Sequence, residues 1–512
     1  MSINKIWIID FGSQYTQLIA RRVRESQVFC QIVTPQITAE EIRTQEVRAL
    51  ILSGGPASVY NAEAPRLDHA IFDLDLPVLG ICYGLQLMAA HFGARVHSDK
   101  RREYGRSALQ ILLEHPILTD IENQTIVWMS HGDHVDTIPP DFQIAAVSAN
   151  GAPAIMVHNH RPLVGLQFHP EVMHTVQGRQ ILHNFLFRIA KLSPDWTPSR
   201  FIEQAIESIR AQVGNTQVLM ALSGGVDSAV MGVLIKRAIG KQCRAVFINN
   251  GLLRQDEQQQ VIQTLRNQMG LSIRGYNYSR AFLKALKGVS DPEQKRKIIG
   301  HQFIKAFEEI AQAYPAVKYL AQGTLYPDVI ESRTVKGPSQ VIKSHHNVGG
   351  LPERMNLKLL EPFNTLFKDE VRKIGAELGV PAAILNRHPF PGPGLAVRIL
   401  GEITPRRLQL LRRADAIFIQ ELHQSGYYEK VWQAFAVLLP VRTVGVMGDQ
   451  RTYEHVVVLR AVNSSDGMTA DWSRLPEELL SRVANRIVNE VRGINRVVYD
   501  ITSKPPGTIE WE

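Results

Sequence analysis

The chain has 512 residues, of which 45% are hydrophobic and 21% charged, with a formal net charge of +8. This is ordinary globular composition, enough for roughly two to four domains, and no apolar run reaches the length of about 18 residues that a helical membrane span needs. Cys30, Cys82 and Cys243 are far apart and odd in number, which argues against a disulfide framework or a Cys-x-x-Cys metal site and fits a reducing cytoplasm. The start of the chain runs straight into a strand pattern without a signal-peptide profile.

Charge is uneven: residues 1–195 carry −3 and the remainder +11. Such an excess fits nucleic acid, or an active site that gathers small phosphates. Basic runs are short and lack the interleaved aromatics that stack bases, so small nucleotides are favoured over RNA.

Residues 5–9 read as a buried strand, followed by a helix through Arg24; residues 49–52 and 77–81 are further strands, and 85–90 is helical. Strands alternating with helices at this spacing predict a parallel α/β sheet with its functional groups at the carboxyl ends of the strands. At one such end, Gly80-Ile81-Cys82-Tyr83-Gly84 sets a cysteine between a strand and a helix, with glycines two residues to either side. A tight turn exposes such a side chain and the helix N-terminus favours its thiolate. A lone cysteine here is more often an inert core residue, but two other stretches shift that balance. His169 follows the apolar run 162–166, and Glu171 lies two residues on. Cysteine attack on an amide needs a base, and the base needs a partner that fixes its tautomer. Cys82, His169 and Glu171 supply these roles, and the turn Ser53-Gly54-Gly55-Pro56 offers backbone N–H groups for an oxyanion.

Residues 193–198, with two prolines and no periodicity, read as a linker. A second α/β series runs over 201–387, with strands at 217–222, 244–248 and 317–321. Its first strand ends in Ser223-Gly224-Gly225-Val226-Asp227-Ser228, and a buried-helix pattern follows. Unpaired amides and the dipole of a helix N-terminus favour an anion, the glycines let backbone approach a phosphate, and Asp227 is placed to cap the turn or hold Mg²⁺. No Walker G-x-x-x-x-G-K-[ST] occurs. The turn-rich stretch 388–394 marks another boundary, and beyond it helices at 404–424 and 476–491 and strands at 455–460 and 496–501 give an α+β tail.

The Ser223–Ser228 loop resembles the pyrophosphate loop of the N-type ATP pyrophosphatase superfamily, which implies an adenine-nucleotide α-hydrolase-like fold and cleavage of ATP between its α- and β-phosphates. The stretches around Cys82, Gly55 and His169 are similar to the class I glutamine amidotransferases, which implies that Cys82 forms a γ-glutamyl thioester and releases ammonia. In that resemblance Gly55 and Tyr83 donate to the oxyanion, while Gln86, Ser130 and His131 help hold L-glutamine; for His131 and His134 a solvated turn remains the alternative. The stretches 247–254, 291–300, 322–332, 343–350, 388–398 and 504–512 resemble the GMP synthetase family. That resemblance implies ATP and xanthosine 5′-monophosphate (XMP) as further substrates, and a homodimer. It also carries over Arg296, Gly392, Gly394, Gln433, Lys504 and Glu510 as XMP-binding residues, and Lys343, His345 and His346 as a lid over the phosphates. Asp328 and Glu331, three apart after a strand and a Tyr-Pro turn, suit Mg²⁺, although such a pair is usually a solvated helix face.

The expected architecture is therefore α/β: a class I glutaminase over 1–195, an ATP pyrophosphatase over 200–387 and a C-terminal α+β domain for dimerisation and XMP binding over 388–512. The enzyme rival is another glutamine-fed ligase such as NAD synthetase. One departure stands near the ATP site: Asn249 occupies a position where the family pattern has aspartate. A second follows Glu361-Pro362, where Phe363-Asn364-Thr365 replaces Leu-Arg-Glu.

Overall fold

The structure is a computed structural model that describes residues 5–61, 63–334, 357–447, 449–464, 467 and 469–512, without the side chains of 98–101, 331–334 and 447. The chain forms two compact units, Met1–Phe201 and Ile202–Glu512.

In the first unit, β1 (Lys5–Ile9), β2 (Phe29–Val33), β3 (Ala49–Leu52), β4 (Val78–Ile81) and β9 (Leu163–Leu166) run parallel. β5 (Val96–Ile111), β6 (Ile126–Val135), β7 (Phe142–Ser148) and β8 (Pro153–His158) extend the sheet antiparallel, in the order β2-β1-β3-β4-β9-β8-β7-β5-β6. Every residue of β3, β4 and β9 is buried, as expected of parallel strands covered on both faces. Their apolar runs are continuous rather than alternating for this reason.

Between β4 and the helix Tyr83–His91, the chain turns through Cys82 at φ 51°, ψ −105°. A side-chain-bearing residue in that region costs about 1–3 kcal/mol and persists only where its surroundings over-determine it. Here they do. A Cβ on Gly84 would lie 2.4 Å from the carbonyl oxygen of Leu52, and one on Gly80 would lie 2.7 Å from the Gly84 carbonyl. The helix therefore sits flush on β3 and β4 only because both positions lack a side chain.

The expected linker at 193–198 is partly docked instead. Trp196 is buried, its N–H donates to the Gln27 carbonyl at 2.8 Å, and its ring packs on Phe29 at 4.7 Å. The Arg24 guanidinium stacks on both rings, 4.3 and 4.7 Å from their centroids. Proline marks the segment as irregular, but a tryptophan beside it brings enough apolar area to anchor it.

The second unit holds a parallel sheet of β10 (Gln217–Ala221), β11 (Cys243–Asn249), β12 (Ile273–Asn277), β13 (Val317–Ala321) and β14 (Lys358–Leu360), in the order β12-β11-β10-β13-β14. A mixed sheet follows, of β15 (Gln433–Met447), β16 (Gln450–Asn463), β17 (Asp471–Trp472) and β18 (Ile494–Tyr499). The helices Pro405–Gln424, capped by the Thr404 hydroxyl, and Glu477–Glu490 pack with it. The boundary expected at 388 lies inside this unit. Leu219 and Val246 of the parallel sheet share one hydrophobic core with Leu395, Leu411, Val457 and Leu459. The turn at Gly394 (φ +61°) joins them: Leu395 N–H donates to the Leu252 carbonyl, and a Cβ on Gly394 would stand 2.5 Å from that oxygen.

Gly84→Ala tests the elbow. The clash with a strand carbonyl should cost at least about 2–3 kcal/mol, seen as a thermal midpoint several degrees lower; an unchanged midpoint would show that the helix tolerates displacement from Leu52.

Candidate functional site

The expected nucleophile, base and orienter come together. His169 Nδ1 lies 2.7 Å from Glu171 Oε1, and all three residues are buried. Burial on its own would lower the His169 pKa. Its hydrogen bonds to Cys82 and Glu171, with the negative charges they bring, more than offset this and push it up to about 10. A protonated imidazole is the state that hands a proton to a leaving amine. Thr175 fixes the His169 backbone by donating to its carbonyl at 2.6 Å, and the Tyr15 ring meets the imidazole edge-on at 5.1 Å.

Cys82 opens onto a cleft of about 630 Å³ lined by Gly55, Gln86, Ser130, His131 and His169 among others. Its Sγ also approaches the Ser130 carbonyl at 3.8 Å and the Gln167 carboxamide at 3.9 Å. Gly55 is needed because a Cβ there would meet the Phe11 carbonyl at 2.8 Å. The Tyr83 hydroxyl is spent on the Pro65 carbonyl at 2.8 Å, so the backbone N–H, first in its helix and without an intrahelical acceptor, is the group Tyr83 has to offer an oxyanion. Gln86 donates to the Asp133 carbonyl at 2.8 Å, and His131 Nδ1 lies 3.1 Å from the same oxygen. His131 is buried, so the solvated-turn alternative does not hold for it.

The second unit repeats the strand–turn–helix device around Ser223–Ser228. Gly224 takes φ +80°, Gly225 N–H donates to Ser223 Oγ at 3.3 Å, and the Ser223 and Ser228 hydroxyls are 3.2 Å apart. The helix Val226–Ile239 begins there, with Val226, Asp227 and Ser228 in its first turn. Asp227 Oδ1 is buried without a hydrogen-bond partner among the described residues. Burial pushes the Asp227 pKa up and Asp328 adds to this, while Lys368 and Arg372 pull it down. Negative charge from Asp328 and positive charge from Lys368 and Arg372 thus meet at Asp227. Asp328 Oδ2 also accepts from Leu325 N–H at 3.1 Å, so part of that residue caps its own helix. The side chain of Glu331, and Lys343, His345 and His346, lie outside the described residues.

Three family descriptions match the chain: "Glutamine amidotransferase class-I" over 7–189, "NAD synthase" over 199–305 and "GMP synthase C terminal domain" over 420–511. Relatives named "GMP synthase [glutamine-hydrolyzing]" match from end to end. The protein from Nitratidesulfovibrio vulgaris is 56% identical over 99% of both chains, and that from Chlorobium chlorochromatii is 58% identical over 100% of both. The chain belongs to the glutamine-hydrolysing GMP synthase family. Within that family the NAD synthase match is confined to the ATP-handling part, and the C-terminal match separates GMP synthases from that rival.

The residues expected to bind the GMP synthase nucleotide are only partly assembled. Gln433 donates to Glu510 Oε1 at 2.7 Å and to the Pro389 carbonyl at 3.1 Å, so these two expected residues touch. Arg296 reaches the Glu512 carbonyl at 2.5 Å, two residues beyond Glu510. Gly394 serves the close approach to Leu252, while Gly392 is exposed with open space around it. Lys504 donates to the Gly467 carbonyl at 2.8 Å.

Sequence reasoning missed several residues. Lys368 Nζ stands 3.8 Å from Asp227, and Arg387 donates to the Gly224 carbonyl at 2.9 Å while pairing with Glu257. Lys368 opens a helix, where the dipole disfavours a cation, and the Asp227 carboxylate beside it offsets this. Arg398 forks onto Glu510 at 2.8 and 3.0 Å. Asn249, the departure from the family pattern, accepts from Gly251 N–H at 2.8 Å and donates to Gln258 Oε1 at 2.6 Å.

The raised His169 pKa has a sign that can be measured. Stability from the protonated ring is fully present below its unfolded value of 6.5 and is lost as pH rises through about 10. Glu171→Gln removes one of the anions responsible, so its thermal midpoint should fall furthest below the parent's near pH 6.5, with the gap closing toward pH 10. A gap independent of pH would mean that Glu171 does not hold the proton on His169.

Proposed function

We propose that Cys82, His169 and Glu171 release ammonia from glutamine and that the Ser223–Ser228 loop binds the ATP that activates XMP. The overall reaction takes XMP, ATP, glutamine and water to GMP, AMP, pyrophosphate and glutamate. The observation that carries this assignment is the buried Cys82–His169–Glu171 array at a glycine-flanked elbow, in a chain whose other half holds a phosphate-type loop.

Cys82 Sγ attacks the amide carbon of glutamine, and the developing oxyanion is met by the N–H groups of Gly55 and Tyr83. His169 protonates the leaving nitrogen, ammonia departs, and a water deprotonated by His169 hydrolyses the thioester. At the other centre, the C2 oxygen of XMP attacks the α-phosphorus of ATP and pyrophosphate leaves. Ammonia then adds at C2, AMP leaves with the former oxygen, and loss of a proton gives GMP. The loop amides, with Ser223 and Ser228, hold the pyrophosphate; Lys368 and Arg387 supply positive charge around it.

Mg²⁺ fits the unpartnered Asp227 oxygen and the neighbouring Asp328, and when bound it would neutralise the β- and γ-phosphates. Glu331, Lys343, His345 and His346 are retained in their expected roles of metal ligand and lid, as are Arg296, Gly392, Gly394, Gln433, Lys504 and Glu510 for XMP. We assign residues 1–195 to the glutaminase, 200–387 to the pyrophosphatase and 388–512 to the nucleotide-binding and dimerisation part. A homodimer is supported by the ribbon β15–β16, where Val441, Val444, Val446 and Tyr453 are all more than half exposed and Val444 faces Tyr453 across the strands. The reading places the protein in the cytoplasm with no nucleic-acid or membrane partner; among the described residues no helix is long and apolar enough to cross a membrane.

Cys82→Ala should abolish GMP formation from glutamine while leaving formation from ammonium salts intact, followed by nucleotide separation. Simultaneous loss of both rates would contradict the division of labour. Pyrophosphate release should depend on XMP and not on deamido-NAD or aspartate. Sedimentation should give twice the chain mass, reduced to one by Val446→Glu with Tyr453→Glu; an undiminished dimer would remove this ribbon from the interface.

A further inference from the structure

Behind the glutamine cleft lies a second buried histidine–carboxylate pair that the triad does not use. Glu103 on β5 stands directly opposite His131 on β6, and both are more than nine-tenths buried. Glu103 Oε1 accepts from the Ser148 hydroxyl at 2.9 Å and from the Asn150 carboxamide at 2.8 Å. Its other oxygen, Oε2, faces His131 Nε2 at 3.5 Å, and neither atom has a hydrogen-bond partner among the described residues.

The opposite edge of the ring decides what this pair must carry. His131 Nδ1 lies against the Asp133 carbonyl, which only accepts, so Nδ1 bears hydrogen. A neutral imidazole then turns the lone pair of Nε2 toward a carboxylate oxygen, and two acceptors would face each other in a dry site. One proton has to lie between them. Burial holds the His131 pKa below its ordinary value and Glu103 offsets this only in part, so the ring itself favours the neutral form. The Asp133 carbonyl that receives His131 also receives the Gln86 carboxamide, and the same strand presents the Ser130 carbonyl to Cys82 Sγ. A continuous path thus runs from the turn at 148–150 through Glu103 and His131 to the groups lining the glutamine cleft.

We propose that Glu103 is a positioning residue for glutamine: it shares a proton with His131 and so fixes the Asp133 carbonyl and the Gln86 carboxamide in the geometry that receives the substrate. The inference rests on the glutaminase reading of Cys82, which the Cys82→Ala experiment tests separately.

Glu103→Ala and Glu103→Gln in the full chain distinguish the role. Alanine leaves His131 Nε2 unpaired and frees the strand, so KM for glutamine should rise about tenfold, the scale of one lost buried hydrogen bond, with kcat at saturating glutamine changed much less. Glutamine at 103 keeps an oxygen for Ser148 and Asn150 and presents an N–H to neutral His131, so KM should return close to the parent value. GMP formation from ammonium salts should be the same in all three proteins. The proposal is overturned by an unchanged KM in Glu103→Ala, by equal damage in the alanine and glutamine variants, or by a parallel loss of ammonia-dependent synthesis. A parent protein without glutamine-dependent activity would instead overturn the reading of Cys82.

Discussion

The carbonyl oxygen of Leu52 sets the position of the nucleophile. It stands where a Cβ on Gly84 would be, so the helix Tyr83–His91 presses directly on β3 and Cys82 is forced into a left-handed conformation at the head of that helix. From this one steric contact follow the outward-facing thiol, the free N–H of Tyr83 beside it, and the distance to His169 on the loop after β9. Rigid packing on both faces of the strands keeps the strained turn from relaxing.

Both units use the end of a parallel strand feeding a helix to manage negative charge, but they spend it differently. At Cys82 the helix starts beside the thiol, and Cys82 and Glu171 together push the pKa of His169 up. At Ser223–Ser228 the terminus is left open, with hydroxyls turned inward on each other and basic groups arriving from Lys368, Arg372 and Arg387. On the proposed function, the first arrangement serves a nucleophile of the chain itself and the second an anion from outside it. The +11 charge of residues 196–512 is consistent with that difference.

Much of this could be read from the sequence, because local chemistry and chain order coincide at strand ends. β1, β3, β4, β10 and β13 fall within a residue or two of the apolar runs that announce them, and Cys82, His169 and the Ser223 loop each sit at the end of such a run. What escaped were groups whose partners are distant along the chain. Glu103 meets His131 only through strand pairing, Arg387 reaches Gly224 across 163 positions, and Arg398 finds Glu510 across 112. Trp196 was hidden by the prolines around it, since turn residues dominate a local reading while burial depends on what the ring meets. The single core joining Leu219 to Leu395 and Val457 was equally invisible, because a proline-rich turn marks a break in pattern but not a break in packing.

Asn249 keeps a side-chain contact that an aspartate would also make. Its carbonyl oxygen holds the Gly251 amide, a contact that an aspartate would make equally well, and its NH₂ points to the oxygen of Gln258. With aspartate in its place, Gln258 has only to rotate its terminal amide by half a turn, exchanging oxygen for nitrogen, and the contact survives with donor and acceptor reversed. Asn and Asp are thus interchangeable here at the cost of one torsion. Gln258, able to donate or to accept, can pair with either residue at that position.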